Sequence, residues 1–478
     1  MSNNKYPDHP FLKGNFRPIT AECDAPALIV REGEIPEGLN GTLYRNGTSA
    51  MFPPLGDDHH WYLAEGMIHA IRIEKGQASY RNRWVKTEQY KAQREAGRRL
   101  ISTSMNEPTP EENAVVAPHF AATHVLYHGE KLLALDEWCG PAALDGDTLE
   151  TTHADWTFEG KHQGAFTAHP KVDPKSGEML GYGYQATGFG SNDITFSVVD
   201  ASGQLIRHDR FKAPFCPIMH DFGITHEHVI FPIFSADISV DRAAKGGPLC
   251  AYNPELGTHF GILARNASID TMRWFKGDAT YAYHTMNSFT EHVGGRTLVH
   301  LDMLKTQAVP LFPFLSGEIA PWLQGEKTNG LLVRWTFDLS DDKDSYSETV
   351  LTDMRGDFPV VDDRYVGHKY RHGFFLGQQG PLVEGAFFDT VCHLDLETGV
   401  RRDYYPGEGE YYLEPIFVPR SKSAPEGDGW LVTVAYNAKR NLSDFVVFDT
   451  VDITKGPIAR VELPTRVPYG FHGSWRPL

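Results

Sequence analysis

The chain has 478 residues, 41% hydrophobic and 22% charged, an ordinary globular composition with ample material for a large core. Its formal charge of −17 (45 Lys and Arg against 62 Asp and Glu) argues against a nucleic-acid partner, whose binding face should be basic, and against an anionic membrane surface. Five cysteines, Cys23, Cys139, Cys216, Cys250 and Cys392, form an odd set with no CxxC pair, so neither a disulfide framework nor a structural zinc site is expected.

The opening MSNNKYPDHPFLKGNF lacks the apolar core of a signal peptide, and no run approaches a membrane span. The expectation is a cytoplasmic, soluble protein. Strand-like stretches then follow in order: NGTLYRNG (40–47), MIHAIRIEKGQASYRNRWV (67–85), HVLYHGEKLLALDE (124–137) and HVIFPIFSADI (228–238). They continue through GLLVRWTFDLS (330–340), GWLVTVAYN (429–437) and DFVVFDT (444–450). KTEQYKAQREAGRRL (86–100) is the best helix candidate. One turn type recurs, an Asp or Asn followed by polar residues and Gly, at 173–179, 200–205, 253–259 and 395–402. Asp and Asn cap such turns, and Gly supplies positive φ.

Strands and helices do not alternate, which excludes a doubly wound α/β sheet. Small antiparallel sheets repeated radially, an all-β propeller in one domain over 1–478, fit better. Turn spacings of 27, 53 and 142 residues (200 − 173, 253 − 200, 395 − 253) define no period from which blades could be counted. The Pro- and Phe-containing stretch 304–323 reads as a long loop that lines a cavity or caps a face.

Among 22 histidines, four stand at strand ends beside a small residue, a proline or a turn. They are His169 in FTAHPKVDP, His220 in PIMHDFGIT, His284 in YAYHTMNSFTE and His472 in GFHGSW. Their separations of 51, 64 and 188 residues (220 − 169, 284 − 220, 472 − 284) are far too long for a local zinc knuckle or an H-E-x-x-H helix. They suit ligands delivered from different blades. Glu137, Asp357 and Glu414 occupy comparable positions. Metal-binding histidines usually donate their second ring N–H to a carboxylate, a role these acids could take.

Over nearly its whole length the sequence resembles the carotenoid cleavage oxygenase family, which includes stilbene- and phenylpropene-cleaving enzymes. The resemblance lies in LNGTLYRNGT (39–48), HHWYLAEGMIHA (59–70), LLALDEWCGPAALDGDTLET (132–151), TAHPKVDPKSGEM (167–179), MHDFGIT (219–225), EPIFVPRSKSAPEGDGWLVTVAYN (414–437) and FHGSW (471–475). It implies a seven-bladed β-propeller with Fe(II) on its axis, held by His169, His220, His284 and His472. Glu137 and Glu414 match two outer glutamates that orient the ligands. The third falls at Asp357, one methylene shorter, so a water-mediated or slack contact to its histidine is expected. Four neutral imidazoles suit iron, and two further positions of a six-coordinate ion stay open to O2 or water. Zinc would fit the ligands but cannot do redox chemistry with O2.

The expected reaction is insertion of O2 across a conjugated C=C bond of an apolar alkene, giving two carbonyl products. The family's phenol-cleaving branch carries a Tyr and a Lys on the phenol oxygen. Here Ser104 and Asp136 stand at those places, and an Asp should repel a phenolate. That turns the expectation toward an apocarotenoid or related alkene, with a stilbene or phenylpropene as the alternative. Trp61, Tyr62, Phe312 and Phe314 are candidates for the substrate lining. Membrane contact is expected to be transient at most, through 304–323. Competing readings are an alkene isomerase on the same iron and a metal-free propeller scaffold. GYGYQA (181–186), HEHV (226–229) and DDHH (57–60) read as strand glycines, exposed strand residues and a turn.

Overall fold

The computed structural model describes residues 5–105, 109–319, 329–381, 385 and 387–478. The all-β expectation is met: antiparallel sheets dominate, and Glu88–Ala96 is the longest helix among the described residues. Two compact units emerge. One comprises residues 1–168, 380–390 and 404–478, the other 169–379 and 391–403.

The first unit holds a five-stranded sheet in the order Cys23–Ala25, Gln77–Trp84, Gly66–Glu74, Gly41–Thr48, Gly473–Pro477. Its last strand comes from the far end of the sequence and pairs Gly473 with Arg45 and Trp475 with Leu43. A four-stranded sheet starts at His124–His128, and Tyr44, Ile68, Val125 and Leu132 share one buried cluster. The helix lies inside the expected 86–100 window. Thr87 caps it by accepting the Tyr90 N–H, and Gly97 closes it at φ +64°. Its buried face is polar: Gln89 and Gln93 donate to Glu65, which also pairs with Arg99. The Arg99 charge and these hydrogen bonds hold the buried Glu65 carboxyl below its ordinary range against the pull of desolvation.

The second unit contains two four-stranded sheets, beginning with Lys171–Val172 and Gly223–Ile224, and a seven-stranded sheet beginning with Tyr281–Val293. Met286, Leu304, Leu332 and Phe375 form a buried cluster on the last. The recurrent turn has the anticipated chemistry. Asp173 accepts the N–H groups of Lys175 and Ser176 before Gly177 at φ +71°, and Asp200 accepts those of Ser202 and Gln204 around Gly203 at φ +89°. Asp395 repeats the device before Gly399. Of the loop 304–323, Leu304–Thr306 completes a strand and Phe314 bridges to Tyr252, while 320–323 lie outside the described residues.

Candidate metal centre

Each of the four histidines is borne by, or lies just ahead of, the first or last strand of a different sheet. His169 precedes Lys171–Val172, His220 precedes Gly223–Ile224, His472 precedes Gly473–Pro477, and His284 lies within Tyr281–Val293. Pairing along Tyr281–Val293 loses register between Ala282 and Thr285, around His284. Such a bulge re-aims side chains that a regular strand would alternate.

In the second unit the Nε2 atoms of His169 and His220 stand 3.0 Å apart, and those of His220 and His284 3.2 Å apart. The His220 Nε2 carries either one proton or one lone pair, so ordinary hydrogen bonding does not serve both neighbours well. Nitrogens about 2.1 Å from a shared ion, at right angles, lie about 3.0 Å apart, which the observed spacing matches.

The Nδ1 of His284 meets Asp357 Oδ1 at 2.6 Å, both buried. The Nδ1–H donates to the carboxylate, which leaves the Nε2 lone pair facing the other rings. The expected water-mediated or slack contact is therefore corrected: the shorter side chain reaches its histidine directly. The backbone explains how. Strand Ser347–Val361 loses register between Asp357 and Val360, and Phe358 adopts φ +55°, a conformation of order 1–3 kcal/mol above the ordinary one for such a residue. The Phe358 ring stacks on His284 at 5.3 Å, and Tyr283 stands edge-on to His220 at 5.0 Å with its hydroxyl donating to the Pro310 carbonyl.

In the first unit His472 Nδ1 lies 2.7 Å from Glu414 Oε1. The second carboxylate oxygen accepts Gly473 N–H and the Arg45 guanidinium. Arg45 is 1% exposed and also donates to the Glu414 and Phe471 carbonyls. Burial lowers its pKa, and the Glu414 charge opposes that shift. Backbone bonds lock the terminal segment: His472 N–H donates to Thr123, and Asn46 exchanges hydrogen bonds with Phe471 and His472. The His124 ring lies edge-on to His472 at 5.5 Å.

One ring nitrogen from each of His169, His220, His284 and His472 lies within 4.8 Å of the others, and this four-histidine cluster fits a metal site. These are the four histidines singled out in the sequence, and Asp357 and Glu414, singled out with them, stand against two of the rings. Arg45, Tyr283, Phe358 and His124 were not singled out. An arginine in the otherwise uncharged strand GTLYRNGT was a usable signal for the first; the rings became visible only with the chain folded.

Other candidates fall as follows. Glu137 is half-buried, and its Oε1 accepts the Trp138 indole N–H. Trp61 is 2% exposed, packed on Phe11, Phe16 and Phe471, with its N–H on the Tyr469 carbonyl, as a core residue would be. Tyr62 is half-buried and edge-on to Phe471, one residue before His472. Phe312 is buried and Phe314 packs against Tyr252. Ser104 donates to Asp58. Asp136 is buried, and burial raises its carboxyl pKa, which weakens the expected repulsion of a phenolate. The expectation of exposed strand residues at 226–229 is corrected: His226 is exposed but lies in a bend beside Glu227, and His228 opens the strand His228–Ile233 yet is buried, with its Nδ1 on Thr290, whereas Gly181–Tyr184 of GYGYQA lie in the strand Met179–Tyr184.

Over residues 16–477 the sequence matches the family described as RPE65, retinal pigment epithelial membrane protein. It is 34% identical to isoeugenol monooxygenase of Pseudomonas nitroreducens, over 98% of each chain. The structure resembles lignostilbene dioxygenase of Pseudomonas brassicacearum with a TM-score of 0.93 and 34% identity, covering 99% of this chain and 100% of that one. It resembles cobalt-substituted Synechocystis apocarotenoid oxygenase with a TM-score of 0.85 and 25% identity, covering 98% of both. The chain belongs to the RPE65/carotenoid oxygenase family.

Proposed function

We propose that this chain is an Fe(II)-dependent oxygenase that cleaves a conjugated carbon–carbon double bond of an apolar alkene with O2, giving two carbonyl products. The observation that carries this reading is the convergence of four imidazole nitrogens, two of them on rings held by buried carboxylates. His169, His220, His284 and His472 would hold the metal; Asp357 and Glu414 orient two of them, and Glu137 is assigned the third orienting role. Bound iron supplies a redox centre able to engage O2 beside an alkene. The protein's part is to keep the Nε2 lone pairs of His284 and His472 directed at the ion, because each Nδ1–H donates a hydrogen bond to a carboxylate. Apolar and aromatic side chains then exclude water and seat the alkene. Tyr62, Phe312 and Phe314 are kept as proposed lining residues, and Trp61 as support behind Phe471.

The isoeugenol, lignostilbene and apocarotenoid names of the similar proteins define the substrate range to test: a conjugated alkene with or without a phenol. We read residues 1–478 as one domain whose sheets are blades of a seven-bladed propeller, since a single family match spans 16–477. No helix among the described residues is long and apolar enough to cross a membrane, and all five cysteines are free. Both facts support a cytoplasmic enzyme with at most transient membrane contact.

The test is a panel of apocarotenals, stilbenes, isoeugenol-like phenylpropenes and vinylphenols, incubated with Fe(II) and the protein under isotope-labelled O2. Two aldehyde or ketone products with label from O2 support the reading. Rearranged alkene without label would favour an isomerase. No turnover of any class, with no iron taken up, would leave a binding scaffold.

A further inference from the structure

The three histidines of the second unit come from three separate segments, yet their nitrogens hold 3.0 and 3.2 Å spacings. The carboxylates on the rings do not explain this, because Asp357 fixes the tilt of one ring and says nothing about how far apart the segments lie. A different buried group does. Asp221, the residue after His220, has a side chain only 1% exposed and contacts none of the imidazoles among its recorded partners. Its Oδ1 accepts the Lys171 ammonium at 2.7 Å and its own neighbour's N–H, from Phe222, at 2.7 Å. Its Oδ2 accepts the Thr285 N–H at 2.8 Å. Lys171 lies two residues after His169, and Thr285 one residue after His284. A second bond, Thr285 Oγ1 to the Phe222 carbonyl at 3.3 Å, ties the same two segments again.

We infer that Asp221, with Lys171, is a positioning clamp that sets the spacing of the three-histidine face by joining the segments that carry His169, His220 and His284. The chemistry favours this role. A carboxylate so deeply buried needs a cation and several N–H donors, so its geometry is over-determined. Metal ligation tolerates only about 0.2 Å in ligand distance, so a modest slip of one segment is felt at the ion. The Thr285 N–H is available because the strand loses its pairing register there, between Ala282 and Thr285 and again between Thr285 and Asn287. The bulge that aims His284 thus also exposes the donor that anchors it.

This inference rests on the metal reading above, and its test separates the two. Metal-free protein is titrated anaerobically with Co(II), following affinity and the visible ligand-field spectrum, for wild type, Lys171→Met, Lys171→Arg and Asp221→Asn. Thermal unfolding of each metal-free protein is measured in parallel. Lys171 is 19% exposed and half-buried, so Lys171→Met should still fold and carries the test if Asp221→Asn does not. We expect Lys171→Met and Asp221→Asn to bind Co(II) about tenfold or more weakly, with an altered spectrum, and Lys171→Arg to recover most of the affinity. Folded variants with wild-type affinity and spectrum, changed only in unfolding temperature, would overturn the clamp alone. Wild-type protein that takes up no Co(II) would overturn the metal reading and the clamp with it.

Discussion

Arg45 is a cation with almost no exposed surface, and its guanidinium donates to the carbonyl and carboxylate of Glu414, which holds His472, and to the carbonyl of Phe471 just before it. Removing one partner of a buried pair leaves the other charge uncompensated, at about 3–5 kcal/mol. Arg45→Met is therefore expected to lower stability by about that amount in denaturant unfolding, and to weaken metal uptake through a displaced Glu414. Arg45→Lys should be intermediate, because a lysine keeps the charge but loses the fork that spans a carboxylate and two carbonyls. A loss below about 1 kcal/mol for Arg45→Met would contradict the assigned role. Asp357 invites a different change. It already contacts His284 at 2.6 Å, so Asp357→Glu adds a methylene where there is no gap to fill. Metal affinity should fall or stay equal, read by anaerobic titration; clearly tighter binding would mean that the contact is slack. Of the four histidines, His169 stands before a proline and His472 before a glycine; His220 and His284 have neither neighbour and were legible only through the family resemblance. Arg45 and its carboxylate are 369 positions apart, and no local pattern announces that pairing.

At the scale of elements, the strand pair Gly41–Thr48 and Gly473–Pro477 explains why a histidine near the end of the sequence is firmly held. The backbones approach so closely that a Cβ on Gly47 would stand 2.5 Å from the Cα of Gly470, and one on Gly473 would stand 2.2 Å from the Tyr44 carbonyl oxygen. Neither glycine has positive φ, so they are required by close approach rather than by a turn. Gly47→Ala should cost about 1–3 kcal/mol and release metal, whereas Gly97→Ala, at an open helix end, should affect stability without touching metal uptake. Equal metal binding by Gly47→Ala would show that this seam does not position His472. Turns and the longest helix among the described residues were readable because their chemistry is local: an Asx cap, a glycine, a run of helix-favouring residues. The bulges at His284 and Asp357 were not, because register is a property of two strands and the sequence displays one at a time.

At the scale of the whole molecule, the fold was legible through dispersed motifs in order, not through periodicity, since the sheets range from two to seven strands. Buried neutral histidines distributed through it set a pH response. Burial holds His69 down at about 3 and His393 at about 4, and pushes His59 well below its ordinary value. Well above pH 6.5 neither folded nor unfolded imidazoles carry the proton, and these groups contribute nothing to pH dependence. Below 6.5 the unfolded chain takes up protons that the folded one refuses, so stability falls as pH falls. At pH 5 the loss is about 2 kcal/mol for each of His69 and His393. The unfolding midpoint of metal-free protein should therefore drop between pH 7.5 and pH 5, and His393→Phe should make the drop smaller. A midpoint that rises on acidification would contradict the burial of these rings.

Four histidines from distant parts of the sequence are proposed to hold one ion. The most direct measurement is metal stoichiometry after anaerobic loading with Fe(II) and removal of excess, for wild type, His284→Ala and His472→Ala. One iron per wild-type chain is expected, and little or none in either variant while both remain folded. Wild-type protein without iron, or variants that retain a full equivalent, would contradict that proposal.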